Sequence, residues 1–506
     1  MAIQTRSASQ KATNNDNVDV AAEDQAQADT PPPNRAARRA AQKKENKESK
    51  AAKITKTTRT TRTTTRTNRS VPSGSKTSRV LNPKTTNYEF GGVLGATAMI
   101  TLLPLLVIMF AYGCDQHGGY NPFQRFYDFA TNFDIEYLKH QISNWSYGSA
   151  IFYLGIVLQL VVYSCVLPGE EIEGAPLRDG TRLKYKINAM GALQSLVTLS
   201  FMSLRGQGWV MFLWVKAHFA DIALFSIFVS FFVSIWVYLR SFVGDKMLAL
   251  GGNTGNPIYD FMIGRELNPR IGNFDIKFFT ELRPGLIMWL CLNICFGICQ
   301  WVELGRVTYS MILVIVFQAW YIIDALINES SILTTMDITT DGFGFMLAFG
   351  NLCWVPMMYS LQARYLADNP VDLSIPHLVA IVALQLLGYY IFRSANSQKD
   401  AFRRDPKDPK VADLEYIETK AGTRLITSGW WGKARHINYL GDWLMSVAWC
   451  LPCGFGSIIP YFYCVYFAIL LLHRERRDEH KCRQKYGADW ERYCSIVKYR
   501  IIPGIY

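Results

Sequence analysis

From residue 90 onward the chain is divided into apolar runs, most of them close to the length at which a helix crosses the hydrocarbon layer of a membrane. They cover Phe90 to Gly113, Gly148 to Leu167, Ile187 to Leu204, His218 to Leu239, Pro284 to Val302, Val307 to Ile327, Gly342 to Leu361, Ile375 to Phe392, Tyr439 to Phe455 and Ile458 to Leu472. In lipid every backbone N–H and C=O must be satisfied within the protein, so runs of this kind fold as helices. The expected fold is an all-α polytopic membrane protein with about ten transmembrane helices. Several runs are shorter or more polar than the roughly 20 apolar residues of a free-standing span. This predicts tilted, broken or re-entrant elements around a cavity. Composition agrees: with 50% hydrophobic and 19% charged residues, 13 Trp and 29 Phe, the chain is too apolar for an ordinary soluble protein.

The first 87 residues are of another kind. Residues 31–86 hold sixteen Lys and Arg against two Asp and Glu, whereas residues 1–29 hold two against five, so nearly all of the net charge of +12 belongs to one arm. No Phe, Trp or Tyr precedes Tyr88. Such a segment has nothing to bury against the entropy of ordering, which predicts a disordered tail over 1–87 and a membrane domain over 88–506. Arg59, Arg62, Arg66 and Arg69 recur among threonines. They fit either a solvated spacer that obeys the positive-inside rule or an electrostatic arm for DNA, chromatin or the lamina that Thr phosphorylation would release. With no secretory signal ahead of it, the first span anchors the chain with this tail in the cytosol or nucleoplasm. An even span count returns the C-terminus to the same side and places the Asn144-Trp145-Ser146 sequon in the lumen.

Two polar blocks interrupt the apolar C-terminal third, GWWGKARHINYLGD from Gly429 to Asp442 and the segment from His473 to Tyr506. Charges such as Arg435, Asp442, Arg474 and Arg477 beside spans belong at a membrane face or in a wet cavity, because unpaired charge in lipid is costly. The pattern points to an anionic cofactor next to a lipid-like substrate. Cys291, Cys295 and Cys299 share one helical stripe without a nearby His or carboxylate and read as packing residues, not metal ligands. Cys450-Leu-Pro-Cys453 lacks the βαβ context of a redox motif, and no complete GxGxxG or GxxxxGK[ST] occurs. A dinucleotide would have to bind by another architecture.

The stretches from Gly255 to Trp289, from Asn328 to Gly350 and from Phe392 to Pro406, together with the two C-terminal blocks, resemble the sterol C14/C7 reductase family, in its branch of Δ14-sterol reductases and the lamin B receptor. The resemblance extends over Tyr88 to Tyr506. It implies about ten spans, an NADPH pocket built mainly by residues 320–506 and open to the cytosol, a sterol pocket open to lipid, and reduction of the sterol C14–C15 double bond. It also implies residence in the endoplasmic reticulum or inner nuclear membrane.

That chemistry assigns roles. NADPH needs fixed cations for its phosphates and an aromatic wall. Arg393, Lys399, Arg403 and Arg435 are the candidate phosphate contacts; Trp431, His436, Asn438 and Asp442 are candidates for the ribose and nicotinamide; Tyr486, Trp490, Tyr493 and Arg500 would close the C-terminal side. Hydride cannot add to an unactivated alkene until an acid has protonated C15 and left a tertiary cation at C14. The expected donor is Tyr321, with Asp324 or Glu329 behind it; Asp337 and Asp341 are further carboxylates in the region, equally suited to capping. Three positions depart from the family pattern. Asn351 stands where Asp is usual, Ile437 replaces a Pro, and Ser330 follows Asn-Glu where another small or acidic residue is usual. If Asn351 removes an orienting contact, the fold would persist without activity, leaving a catalytically inactive inner nuclear membrane tether that binds chromatin or lamina. An isoprenylcysteine-type methyltransferase shares a pattern like Arg435 to Tyr439 but is much shorter and lacks the Leu267 to Gly285 block.

Overall fold

The computed structural model describes residues 81–114, 121–131, 146–204 and 207–506. Almost all of the basic arm, and with it the contacts expected of 31–86, lies outside the described residues, as do Asn144 and Trp145 of the sequon.

Among the described residues six helices are long and apolar enough to cross a membrane: α1 (Gly92–Gly113), α2 (Tyr147–Val166), α3 (Phe219–Arg240), α4 (Ile276–Leu304), α5 (Tyr309–Ile327) and α6 (Ile375–Arg404). The other expected spans are the short or interrupted ones. Ala189–Ser203 is a 15-residue helix. The run 342–361 breaks into Phe345–Phe349, a π turn at Gly350–Trp354 and Val355–Tyr359, and a further helix, Leu361–Asp368, follows Ser360. The last two runs form α7 (Ile437–Cys450), stopped by a 3₁₀ turn with Pro452, and α8 (Phe462–Tyr486), whose second half is charged. A final short helix, α9, covers Ala488–Ile496.

Buried side chains compensate where the helices break. Arg364, on the helix after Ser360, donates to Phe110 O at 3.1 Å and Ala111 O at 2.7 Å, adding bonds to carbonyls in the last turn of α1, where Phe110 O also accepts from Cys114 N. Gln318 of α5 accepts from Trp289 Nε1 at 2.9 Å and Asn293 Nδ2 at 2.5 Å and donates to Gln362 at 3.3 Å, so α4, α5 and the broken helix share one dry polar network. Cys295 and Cys299 both point their thiols at Phe212 O, as packing residues do.

Polar residues collect at two rims. At one, Lys216 meets Glu303 at 2.6 Å and Asp368 at 2.7 Å. At the other, Arg477 of α8 bridges Glu89 at 2.6 Å and Asp341 at 3.0 Å, Arg474 reaches Asp337 at 3.1 Å, and Asn82 bonds the 246–248 backbone. This second rim, which carries the C-terminus, gathers segments from the whole length of the domain. Two-stranded antiparallel hairpins, Glu170–Pro176 with Arg182–Ile187 and Tyr416–Glu418 with Arg424–Ile426, extend the polypeptide between helices.

The geometry of the C-terminal half depends on a close crossing of α6 and α7. A methyl group built on Gly441 would lie 2.6 Å from Gly388 O, and one on Gly388 would lie 2.8 Å from Gly441 O. Only two glycines let the backbones approach this closely, as at small-residue crossings in membrane bundles. Gly441→Ala should therefore cost about 1–3 kcal/mol by overpacking. It should lower the thermal unfolding midpoint of the detergent-solubilised protein, whereas Gly155→Ala, with no atom within 4 Å of the added methyl, should leave it unchanged. Equal midpoints for both variants would contradict the close crossing.

Candidate active site

Inside the bundle, aromatic rings from four elements meet around Tyr321 of α5. Trp449 of α7 lies 5.2 Å from it, Trp289 of α4 6.3 Å, and Trp289 also touches Tyr359 at 5.2 Å and Trp449 at 5.7 Å. Tyr463 of α8 completes the group, 4.7 Å from Tyr359 and stacked on Trp449 at 5.5 Å. Flat rings edged by phenol groups make an apolar chamber that can solvate a cation through π faces. Apart from Tyr321, the expected donor, these rings show in the sequence only as span residues, because an aromatic in an apolar run carries no sign of which way it faces.

The carboxylates around this chamber differ in how free they are. Asp442, one turn into α7, is 8% exposed, and its Oδ1 is buried without a partner. Among charged groups it exerts the largest electrostatic influence on Tyr321, and its own counter-charge is Arg474. Asp324 lies within electrostatic reach of Tyr321, but its carboxylate is engaged by Tyr389 Oη at 3.2 Å and faces Arg393 at 3.6 Å. Glu329 is not free to serve behind Tyr321. One oxygen pairs with Arg283 at 3.0 Å and the other accepts from Ala189 N at 2.8 Å, capping the Ala189–Ser203 helix, while Arg283 also donates to Asn188 at 2.6 Å. With Arg283 at 0% and Glu329 at 1% exposure, this pair is structural. The partner closest to Tyr321 in effect is therefore Asp442, which the sequence reading had placed on the cofactor.

The expected cofactor residues also divide. Lys399 lies 3.9 Å over the Trp431 ring, whose indole N–H bonds Ala395 O at 2.8 Å, and Arg403 follows one turn later, exposed. Asn438 donates to Asn396 at 3.2 Å across the α6–α7 crossing. Arg393 is taken up by Asn328 and Asp324, so it ties α6 to α5 and does not stand free beside Lys399. Arg435 has both terminal nitrogens committed, to Val497 O at 2.8 Å, Lys498 O at 3.2 Å and Glu479 at 3.2 Å, and so fastens the C-terminal segment to the start of α7. Arg500 pairs with Glu475 at 3.4 Å and Glu479 at 3.5 Å. Tyr486 stacks on Trp490, which packs on Tyr493; Trp490 and Tyr493 are buried with Ile417 and Val497. These residues build the wall, and those left to face a ligand are Lys399, Arg403, Trp431, His436 and Asn438.

Several buried polar atoms of this region remain unsatisfied. The buried atoms without a partner include Arg435 Nε, His436 Nε2, Asn438 Oδ1, Asp442 Oδ1 and Trp490 Nε1, three of them within five consecutive residues. Buried polar groups are rarely left unpaired, and a polar ligand along this stretch would supply the missing bonds. His436 Nε2 sits 3.6 Å from Asp478 Oδ2, beyond hydrogen-bond reach, and burial together with Lys399, Arg435 and Arg500 holds the ring's pKa down to about 3. It is therefore neutral and stacks on Tyr439 at 4.9 Å.

A family model for ergosterol biosynthesis, the ERG4/ERG24 family, matches residues 84–506. The chain belongs to that family. The Delta(14)-sterol reductase erg24 of Schizosaccharomyces pombe is 50% identical over 423 residues, covering 83% of this chain and 97% of its own. The Delta(14)-sterol reductase ERG24 of Saccharomyces cerevisiae is 44% identical over 84% of this chain and 99% of its own. The Delta(14)-sterol reductase LBR of Gallus gallus is 45% identical over 84% of this chain and 65% of its own. The three positions singled out in the sequence have distinct surroundings. Ile437 packs with Ile391, Ala395 and Ala434, and Ser330 is exposed. Asn351 sits in the π turn 350–354 with its amide 3.5 Å from Thr280 Oγ1.

The neutral histidine makes a pH prediction. Unfolded, His436 takes up a proton below its ordinary value of 6.5; folded, it does not until about 3. The unfolded state binds more protons throughout that window, so stability falls as pH drops from about 6.5. In detergent, the thermal midpoint should fall less between pH 7.5 and 5 for His436→Gln than for the wild type. A histidine charged against Asp478 would give the opposite ordering.

Proposed function

We propose that this protein reduces the C14–C15 double bond of a sterol drawn from the bilayer, with NADPH as the hydride source. The observation that carries the reading is the buried carboxyl of Asp442, with one unpartnered oxygen, beside Tyr321 in an aromatic chamber. The similarity to Delta(14)-sterol reductases over nearly the full membrane domain supports the choice of double bond.

The residues divide the work. Asp442, protonated in its apolar surroundings, gives its proton to C15, and the Tyr321 hydroxyl positions and shares that proton. The tertiary cation left at C14 is held by the faces of Trp289, Trp449 and Tyr359, and exclusion of water by the same rings protects it from capture. Bound NADPH supplies the hydride that completes the reduction. Lys399 and Arg403 would hold its 2′-phosphate, Trp431 a ring face, and Asn438 and the neutral His436 its ribose and amide. The site opens at the C-terminal rim, which we place in the cytosol.

Expression in a yeast strain lacking Δ14-sterol reductase tests this. Wild-type protein should restore growth and a normal sterol profile. Asp442→Asn should fail, with turnover lower by about 100-fold or more, at an unchanged detergent-extracted yield. Growth supported by Asp442→Asn would reject the proton-donor role. The purified protein should bind NADPH more tightly than NADH by about 1.5–3 kcal/mol for each charge-assisted phosphate contact. Arg403→Gln should erode that preference, and equal affinity of the wild type for both nucleotides would remove the phosphate assignment.

A further inference from the structure

Every reduction of this kind consumes a proton inside a dry chamber, and Asp442 must recover one before the next turnover. The structure holds a second carboxyl suited to that task. Glu281 opens the π turn Glu281–Ile287 in the middle of α4, where Pro284 prevents a regular helix. π turns are rare and recur at functional sites, and this one packs against the other π turn, Gly350–Trp354. Glu281 Oε2 is sealed from solvent and has no hydrogen-bond partner. A buried carboxyl oxygen left unpaired is costly and calls for an explanation.

Its charged surroundings lead outward and inward. The groups acting on it are Asp337, Lys277, Arg474 and Asp275. Lys277, fully buried, spends its ammonium on Ile338 O at 3.1 Å and Asp341 O at 2.8 Å and so does not neutralise Glu281 directly. Asp337 is bonded to Arg474 at 3.1 Å, with their side chains 20% and 36% exposed, so this pair faces water at the C-terminal rim. Arg474 is also the counter-charge of Asp442. Arg474, held in the wet pair with Asp337, thus acts electrostatically on both Glu281 and the proposed acid.

We propose that Glu281 is the relay residue that returns a proton from the rim to Asp442 after each turnover; this rests on the proton-donor reading above. The carboxylate of Glu281 takes a proton from a hydronium ion in the water beside the Asp337–Arg474 pair, forming its own O–H bond as one O–H bond of that ion breaks and neutral water is left. It then yields that proton through a bridging water along Arg474 to the Asp442 carboxylate and returns to its ionised form. No other reactant is needed.

Glu281→Gln keeps the shape of the side chain and removes the exchangeable acid. In the full-length protein in lipid nanodiscs with NADPH and a Δ14-sterol, the first turnover should proceed at the wild-type rate, because Asp442 acquires its first proton during equilibration, before the substrates are added. Later turnovers should slow by roughly tenfold or more, with a larger solvent deuterium isotope effect and unchanged NADPH affinity, and Glu281→Asp should recover part of the rate. A purely structural Glu281 would slow the first turnover as much as later ones, and that result, or wild-type steady-state turnover with an unchanged isotope effect, overturns the relay alone. Wild-type protein that reduces no Δ14-sterol would overturn the underlying reading and the relay with it.

Discussion

A guanidinium that leaves water for an apolar membrane domain must bring its counter-charge with it, and the C-terminal half of this protein is organised around that requirement. Arg283 pairs with Glu329, Arg435 with Glu479, and Arg477 with Asp341 and Glu89. Each pair joins segments distant in sequence, so α8 cannot leave the 329–341 segment, nor the C-terminus the start of α7, without stranding a charge. Removing one member of a buried pair typically costs about 3–5 kcal/mol. The aromatic chamber lies between the elements that these pairs hold together.

The same requirement explains which residues remain for chemistry. A charge that is fully matched is spent on architecture, as Glu329, Arg393 and most of Arg435 are. A polar atom that stays buried and unmatched, as in Asp442, His436, Asn438 and Glu281, is where a ligand or a proton has something to gain. The chamber's dryness strengthens both effects, since a proton or a cation inside it interacts with fixed groups instead of water. The close α6–α7 crossing at Gly388 and Gly441 then sets Lys399 and Asn396 on one helix opposite Asn438 and Asp442 on the other.

Much of this was legible in the order of residues. Run lengths marked the long helices, and the weaker runs were those that appear as short or broken elements, because Pro356, Pro452 and buried polar residues such as Gln362 and Arg364 mark where a continuous apolar helix cannot form. The polar blocks at 429–442 and 473–506 mark stretches where the structure leaves buried polar atoms unmatched. Spacing could not say which partner each charge would find. Asp324 and Glu329 look equally available five residues apart, yet one faces Arg393, 69 residues onward, and the other Arg283, 46 residues back. Nor could it reveal that Trp289, Tyr359, Trp449 and Tyr463 converge, since facing direction within a uniformly apolar run depends on helix rotation. The π turn at Glu281 had only Pro284 as a local sign.

The central claim is that the two hydrogens added to the sterol have different origins, one from the solvent through Asp442 and one from the nicotinamide. Isotope placement tests this most directly. With the purified protein in D2O and unlabelled NADPH, the product should carry deuterium at C15 and protium at C14. In ordinary water, with NADPH bearing deuterium at the transferred position, the label should appear at C14 alone. Solvent deuterium at both carbons, or nicotinamide label at C15, would contradict the account.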